Sequence, residues 1–394
     1  MKKQEVELLD KITAGYSLPA MSPLAMRLIR LASIDDISIE DLSSVIEKDP
    51  SLTIRLLRLA NSAFFRTGGP ITTIGQAIQM IGLNRLRIMA LSLSLRDTFP
   101  MGRVGALDYE EFWKISLYQA LLAKSLGQRL RTCKPDEAFV GGLILEIGLL
   151  IFFDLFVKKD RNVERIRLQP LAPLLKWEEE RYGLNHRQVG EATLKYWKFP
   201  KEIIECQGHY LVETDPSEVP GLAFVCNMAG VFSAIICEES TEWHPLFEKA
   251  EKTYGMDHDM LADILVSALD DVREVAISLK VEMNRKQDIL GIMEKANRAL
   301  SAISERMLQI NEADSKFAMP TFSGFSSRGT PAREALQAIV HEVRNPLTAI
   351  GGFARKLEKN LDPASEEWEY VRVIVEEATK LETRLDELER KERQ

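Results

Sequence analysis

The chain has 394 residues, a formal net charge of −8 and 45% hydrophobic residues, which leaves room for two or three domains of about 100–200 residues each and at least one substantial core. The acidic balance, with no dense Lys/Arg block, excludes a nucleic-acid partner gripped through broad phosphate neutralisation. The four cysteines, Cys133, Cys206, Cys226 and Cys237, have no CxxC spacing and read in a chain this long as small core hydrophobes kept reduced, in a cytoplasmic setting.

The N-terminus is charged from Lys2 onward and carries no signal-like apolar core. From there to about residue 277, apolar residues recur at spacings of three and four between Gly and Pro punctuation, so an all-α fold is expected and strand-like alternation is scarce. Ser38, with Asp41 three residues on, is a helix N-cap; Asp49 is another, with Pro50 in the first turn. The longest apolar run, Val140 to Phe153, is interrupted by Glu146 and is shorter than the roughly 20 residues a bilayer span needs, so no membrane span is expected.

Four blocks in this region occur in a telling order: Leu18-Pro19-Ala20-Met21-Ser22-Pro23, Ile46-Glu47-Lys48-Asp49-Pro50-Ser51-Leu52, Leu59-Ala60-Asn61-Ser62-Ala63-Phe64-Phe65, and Ile74-Gly75-Gln76-Ala77-Ile78 followed by Ile81-Gly82-Leu83-Asn84-Arg85-Leu86. Together they resemble the HDOD domain, over roughly residues 10–275. Read for themselves they are turns, caps and helix crossings: Gly82 permits close approach and Asn61 can bond nearby backbone. The resemblance implies an all-helical domain of bacterial signalling proteins, with a ligand the sequence does not name, related to HD-type metal-dependent phosphohydrolases. Those enzymes hold metal with a His, a His-Asp doublet and a later Asp, because a bridged metal site needs several imidazole and carboxylate donors converging. Here the corresponding positions carry Ile115, Leu145 with Glu146, and Asn227. One carboxylate among four ligand positions makes metal and hydrolysis improbable, so no metal or cofactor is expected. His186, in Asn185-His186, and His209 resemble family positions but read as hydrogen-bonded structural residues without converging carboxylates; His244 and His258 read the same way.

A connector is expected at 278–312. Ile289, Met293, Ala296, Leu300, Ile303, Met307 and Ile310 alternate spacings of four and three, the seam of a two-stranded coiled coil, with Glu294, Lys295, Glu305 and Arg306 off it. A helix packed on its own domain is the alternative. Residues 313–331, with Pro320, Gly324 and Gly329, break the pattern as a linker does.

The segment 332–394 carries the most informative stretch, His341-Glu342-Val343-Arg344-Asn345-Pro346-Leu347. A His nucleophile attacks phosphorus through one ring nitrogen, while its other N–H needs an acceptor that holds the tautomer and takes up developing positive charge; Glu342 is that candidate. Asn345, at i+4, shares the face of His341. Ile339, Val343, Pro346, Ile350, Phe353 and Leu357 form a seam, and His341 lies about 200° around the helix from Ile339 and Val343, pointing away from it. After the turn signal Leu361-Asp362-Pro363-Ala364-Ser365, a second helix repeats the pattern with Val371, Ile374, Ala378, Leu381, Leu385 and Leu388. The run from His341 resembles the H-box of the HisKA dimerisation and phosphoacceptor domain of sensor histidine kinases, and Ala349-Ile350-Gly351-Gly352-Phe353 continues it. Two such helices bury too little alone, so a homodimeric four-helix bundle is expected.

The sequence ends at Gln394 without the ATP-binding segment an autonomous kinase needs and without a GxxxxGK[ST] loop, so phosphoryl is expected at His341 only in trans, from a partner histidine kinase or a response regulator. A non-phosphorylated homodimeric scaffold that docks such a partner, with His341 incidental, stays open; an HD phosphohydrolase is the weakest reading.

Overall fold

The computed structural model describes residues 38–62, 69–160, 162–168, 171–197, 199–208, 219, 221–237, 255–283, 288–301, 344 and 347–393. Those residues are helical almost throughout. They divide into two compact units, one of Met1–Glu238 with Ser267–Asn284 and one of Glu239–Val266 with Arg285–Gln394. This division differs from the boundary at 277 read from the sequence.

In the first unit, α1 (Ile39–Ile46) and α2 (Pro50–Asn61) begin where local chemistry dictates. The Ser38 hydroxyl accepts from the Asp41 N–H at 3.0 Å and the Asp49 carboxylate from the Leu52 N–H at 2.9 Å, so each cap satisfies a donor the helix leaves unpaired. Asn61 closes the end of α2: its amide donates to the Leu57 and Ile71 carbonyls, and its oxygen accepts from the Ile71 N–H at 2.8 Å. Between α3 (Ile74–Ile81) and α4 (Leu83–Thr98), Gly82 has φ +98° and ψ 146°. A Cβ there would meet no atom within 4 Å, so backbone conformation, not the close approach expected from sequence, is what requires glycine. The Arg55–Asp97 ion pair ties α2 to α4.

A two-stranded antiparallel hairpin, β1 (Arg103–Val104) and β2 (Leu107–Asp108), leads into α5 (Tyr109–Leu130), whose N-cap Asp108 accepts from two backbone N–H groups. α5 is buried from Ile115 through Gly127 and is the axis of the core. It packs on α6 (Pro135–Leu143), where Gly142 faces the Gln119 carbonyl with room for no Cβ, and on α11 (Gly221–Cys237). A turn at Ile144–Glu146 breaks the apolar segment before α7 (Ile147–Phe152) and a π-helical turn, Phe153–Val157. Among the described residues, Pro135–Val157 is long and apolar enough to cross a membrane by length and composition, a longer run than the sequence reading gave. Of an 18-residue stretch within it, 83% is buried inside the protein, as the central helices of a core are. α8 (Leu171–Tyr182), α9 (His186–Tyr196) and α10 (Lys201–Glu205) follow. α9 packs on α7, where a Cβ on Gly148 would collide with the His186 carbonyl. α12 (His258–Leu279) starts in the second unit and continues into the first.

The second unit also contains α13 (288–301), α14 (347–360) and α15 (Glu366–Arg393). The first four residues of the connector seam, Ile289, Met293, Ala296 and Leu300, are buried within the chain itself, and Asp288, Ile292 and Lys295 are buried beside them. The covered arc is wider than a two-stranded seam presents, since Lys295, off the seam in the sequence, is buried as well. Ile303, Met307, Ile310 and the 313–331 linker lie outside the described residues.

The described part of the hairpin has the two helices and the turn expected from sequence, while Ile339, Val343, Pro346 and the side chain of Leu388 lie outside the described residues. Ser365 caps α15 by accepting from the Trp368 N–H at 3.2 Å, and Ile350, Phe353 and Leu357 on α14 and Val371, Ile374, Ala378, Leu381 and Leu385 on α15 are buried. A Cβ on Gly351 would stand 3.3 Å from that of Ala378, so two small residues set the closeness of the antiparallel helices. Arg355–Glu382 at 2.9 Å and Arg344–Asp386 at 2.7 Å join them along one edge.

Candidate functional site

The residues assigned to phosphoryl chemistry from sequence, His341, Glu342 and Asn345, lie outside the described residues. Two residues of the same run, Arg344 and Leu347, are described. Arg344 is helical and ion-paired to α15, and Leu347 is fully buried at the start of α14. His209 and His244 also lie outside the described residues, and His258 begins α12.

Two of the four positions that resemble the HD ligand set, Glu146 and Asn227, meet on a cation supplied by the chain. Glu146 emerges from the α6–α7 turn, and Asn227 from α11. Arg187, in the first turn of α9, lies between them. Its Nε and Nη2 each donate to Glu146 at 2.6 Å, a two-pronged contact, and its Nη1 donates to the Asn227 Oδ1 at 3.1 Å and the Cys206 carbonyl at 3.2 Å. Asn227 is held in turn, donating to the Cys206 and Ala223 carbonyls at 3.0 and 2.9 Å. Ile115 and Leu145, at the other two positions, are buried apolar side chains.

His186 completes the cluster. Its Nε2 lies 2.9 Å from Glu146 and its Nδ1 2.7 Å from Glu178, while its backbone N–H donates to Glu178 at 2.8 Å. Two carboxylates therefore do meet this imidazole, against the expectation from sequence that none converge on it, although the residue is hydrogen-bonded as expected. Glu146, Glu178, His186 and Arg187 have no exposed surface. Burial alone would lower the His186 pKa, but Glu178 and Glu146 outweigh it and raise it to about 9, an imidazolium donating through both nitrogens. Burial likewise pushes the Glu146 carboxyl up, yet Arg187 and His186 hold it down at about 2. The imidazolium and the Arg187 guanidinium thus meet the carboxyl groups of Glu146 and Glu178, so neither buried cation lacks a partner.

α9 aims this pair of cations inward because its start is fixed on both sides. The Asn185 side chain accepts from the Gln188 N–H at 3.0 Å, and the Gln188 side chain accepts from the Asn185 N–H at 3.0 Å, a reciprocal capping box. Asn185-x-x-Gln188 was a signal available in the sequence. Nothing local marked Glu178 or Arg187, whose partners lie 8 and 41 residues away.

The residues present do not fit a metal. The surviving carboxylate is engaged by a guanidinium, the amide that replaces the last Asp is bonded to the same guanidinium, and a fixed cation repels a second one at that point.

Residues 18–210 match the family described as HDOD domain, and residues 332–394 match His Kinase A (phospho-acceptor) domain. "Uncharacterized protein YuxH" of Bacillus subtilis is 28% identical over 141 residues, 36% of this chain and 34% of that protein. "Sensory histidine kinase/phosphatase NtrB" of Proteus hauseri is 45% identical over 58 residues, 14% of this chain and 16% of that protein. The chain therefore spans about a third of one relative and about a sixth of the other. A solved structure, "Putative phosphohydrolase from Shewanella amazonensis", covers 69% of this chain and 97% of its own with a TM-score of 0.53 at 23% identity, a likeness of fold.

Proposed function

We propose that this chain, which carries an HDOD domain at 18–210 and a HisKA phospho-acceptor domain at 332–394, is a bacterial signal-transduction protein whose output is phosphoryl taken in trans by His341. The observation that carries the reading is the joining of the two domains in one chain, with His341-Glu342-x-x-Asn345-Pro346 inside the matched HisKA segment. In this reading one ring nitrogen of His341 forms the P–N bond. The bond from phosphorus to the donor breaks, and its electron pair leaves with the donor, ATP held by a partner kinase or a phospho-aspartate of a response regulator. Glu342 accepts the hydrogen bond of the other ring N–H and balances the charge that develops there, and Asn345 supports the same face. The hairpin acts as a homodimer, and the protein works in the cytoplasm without a cofactor. The HDOD domain serves as input or scaffold. Its buried guanidinium speaks against phosphohydrolase chemistry at the HD position.

The test is phosphoryl labelling. With a cognate kinase and ATP, or with a small-molecule-phosphorylated response regulator run in reverse, the protein gains an acid-labile, base-stable label. His341→Ala abolishes the label, and Glu342→Gln slows its appearance by about 100-fold. Partner binding that persists with no label under any donor would replace this reading by the docking scaffold, and label retained in His341→Ala would remove it.

A further inference from the structure

The apolar stripe of α14 is covered by more than its hairpin partner. Taking about 100° per residue, Leu347, Ala349, Ile350, Phe353, Ala354 and Leu357 span an arc of about 160°, wider than one neighbouring helix covers, yet each is at most 1% exposed within a single chain. The two borders of this arc are fastened to different helices. On one border Arg344 and Arg355 pair with α15. On the other, Lys356 donates to the Asp259 carbonyl at 2.6 Å and pairs with Asp263 at 2.8 Å and with the Asp259 carboxylate at 3.8 Å, all on the first turns of α12. Gly352 lies on that same border, where a Cβ would stand 3.8 Å from the Asp259 Oδ1, so α12 comes close to the α14 backbone.

We propose that residues 258–266 occupy in cis the flank of α14 on which a second copy packs, so that the hairpin dimer forms in exchange for this contact. Lys356 is the lock: its ammonium meets two carboxylates and a helix carbonyl, and it is about three-quarters buried while doing so. An apolar stripe in a homodimeric bundle needs cover on both sides, and a stripe already covered on both sides by its own chain has no free flank to offer. The second copy is the competing occupant because the segment matched as a phospho-acceptor domain is the one whose stripe is covered. The proposal rests on the dimeric hairpin reading above.

The test is the monomer–dimer equilibrium of the full chain, followed by light scattering across concentration for wild type, Lys356→Glu, and the exchange Lys356→Glu with Asp263→Lys. Lys356→Glu faces Asp259 and Asp263 with a like charge, and its dimerisation midpoint moves to about tenfold lower concentration; the exchange variant returns it toward wild type. Hydrogen exchange below the midpoint reads the lock directly: amides of 258–266 and 347–357 exchange faster together in Lys356→Glu and slow again in the exchange variant. A midpoint that is unmoved or raised in Lys356→Glu, or exchange of 258–266 unaltered by that variant, overturns the proposal. The phosphoryl reading fails separately, by loss of label at His341 whatever the midpoint does.

Discussion

At the scale of single residues, Ser38 and Asp49 cap their helices by accepting from backbone N–H groups three residues on, an interaction that needs nothing beyond the helix itself. Arg187 shows the other case. Its three partners, Glu146, Asn227 and the Cys206 carbonyl, reach it only after α7, α9 and α11 have packed, so no spacing in the sequence announced it. This cluster also makes stability depend on pH. The folded pKa of His186, about 9, lies above its ordinary 6.5, so its contribution is complete below about pH 6.5 and disappears as pH climbs through about 9. Glu146, held at about 2 against an ordinary 4.5, contributes fully above pH 4.5 and loses that contribution as pH falls toward 2. Urea unfolding should therefore give a plateau in stability between these limits and a decline from pH 6.5 to 9 that flattens in His186→Gln. An equal alkaline decline in that variant would assign the titration elsewhere.

At the scale of elements, periodicity located the helices, and packing decided what their faces do. The hairpin seam of α14 and α15 was readable because one-sided apolar spacing survives any arrangement that buries one side. The connector seam was readable as a stripe, but Asp288, Ile292 and Lys295 are buried with it in the same chain, which heptad spacing does not foresee. Glycines divide by cause in the same way. Gly142 and Gly148 leave no space for a Cβ, whereas Gly82 has open space and a positive φ. Gly82→Ala should accordingly cost about 1–3 kcal/mol through backbone strain alone, measured by chemical denaturation, with core packing unaltered. A neutral substitution would mean that the α3–α4 junction relaxes to an ordinary conformation.

At the scale of the whole molecule, one chain carries two matched domains, and the output proposed above needs two copies. Light scattering of the wild-type chain should rise with concentration from 44.6 kDa to twice that mass. A chain that stays at 44.6 kDa throughout would contradict the homodimeric bundle. The all-α class, the helix starts at Ser38 and Asp49, the hairpin with its turn, both domain resemblances and the residue types at the degenerate HD positions were legible in the sequence, because caps, periodicity and motif order depend on neighbours along the chain. Only the tertiary structure decided that a guanidinium fills the HD position, that His186 sits between two carboxylates, and that α12 is fastened to the hairpin through Lys356. Those are encounters between side chains 8 to 97 residues apart, and which of them meet is settled by how helices pack.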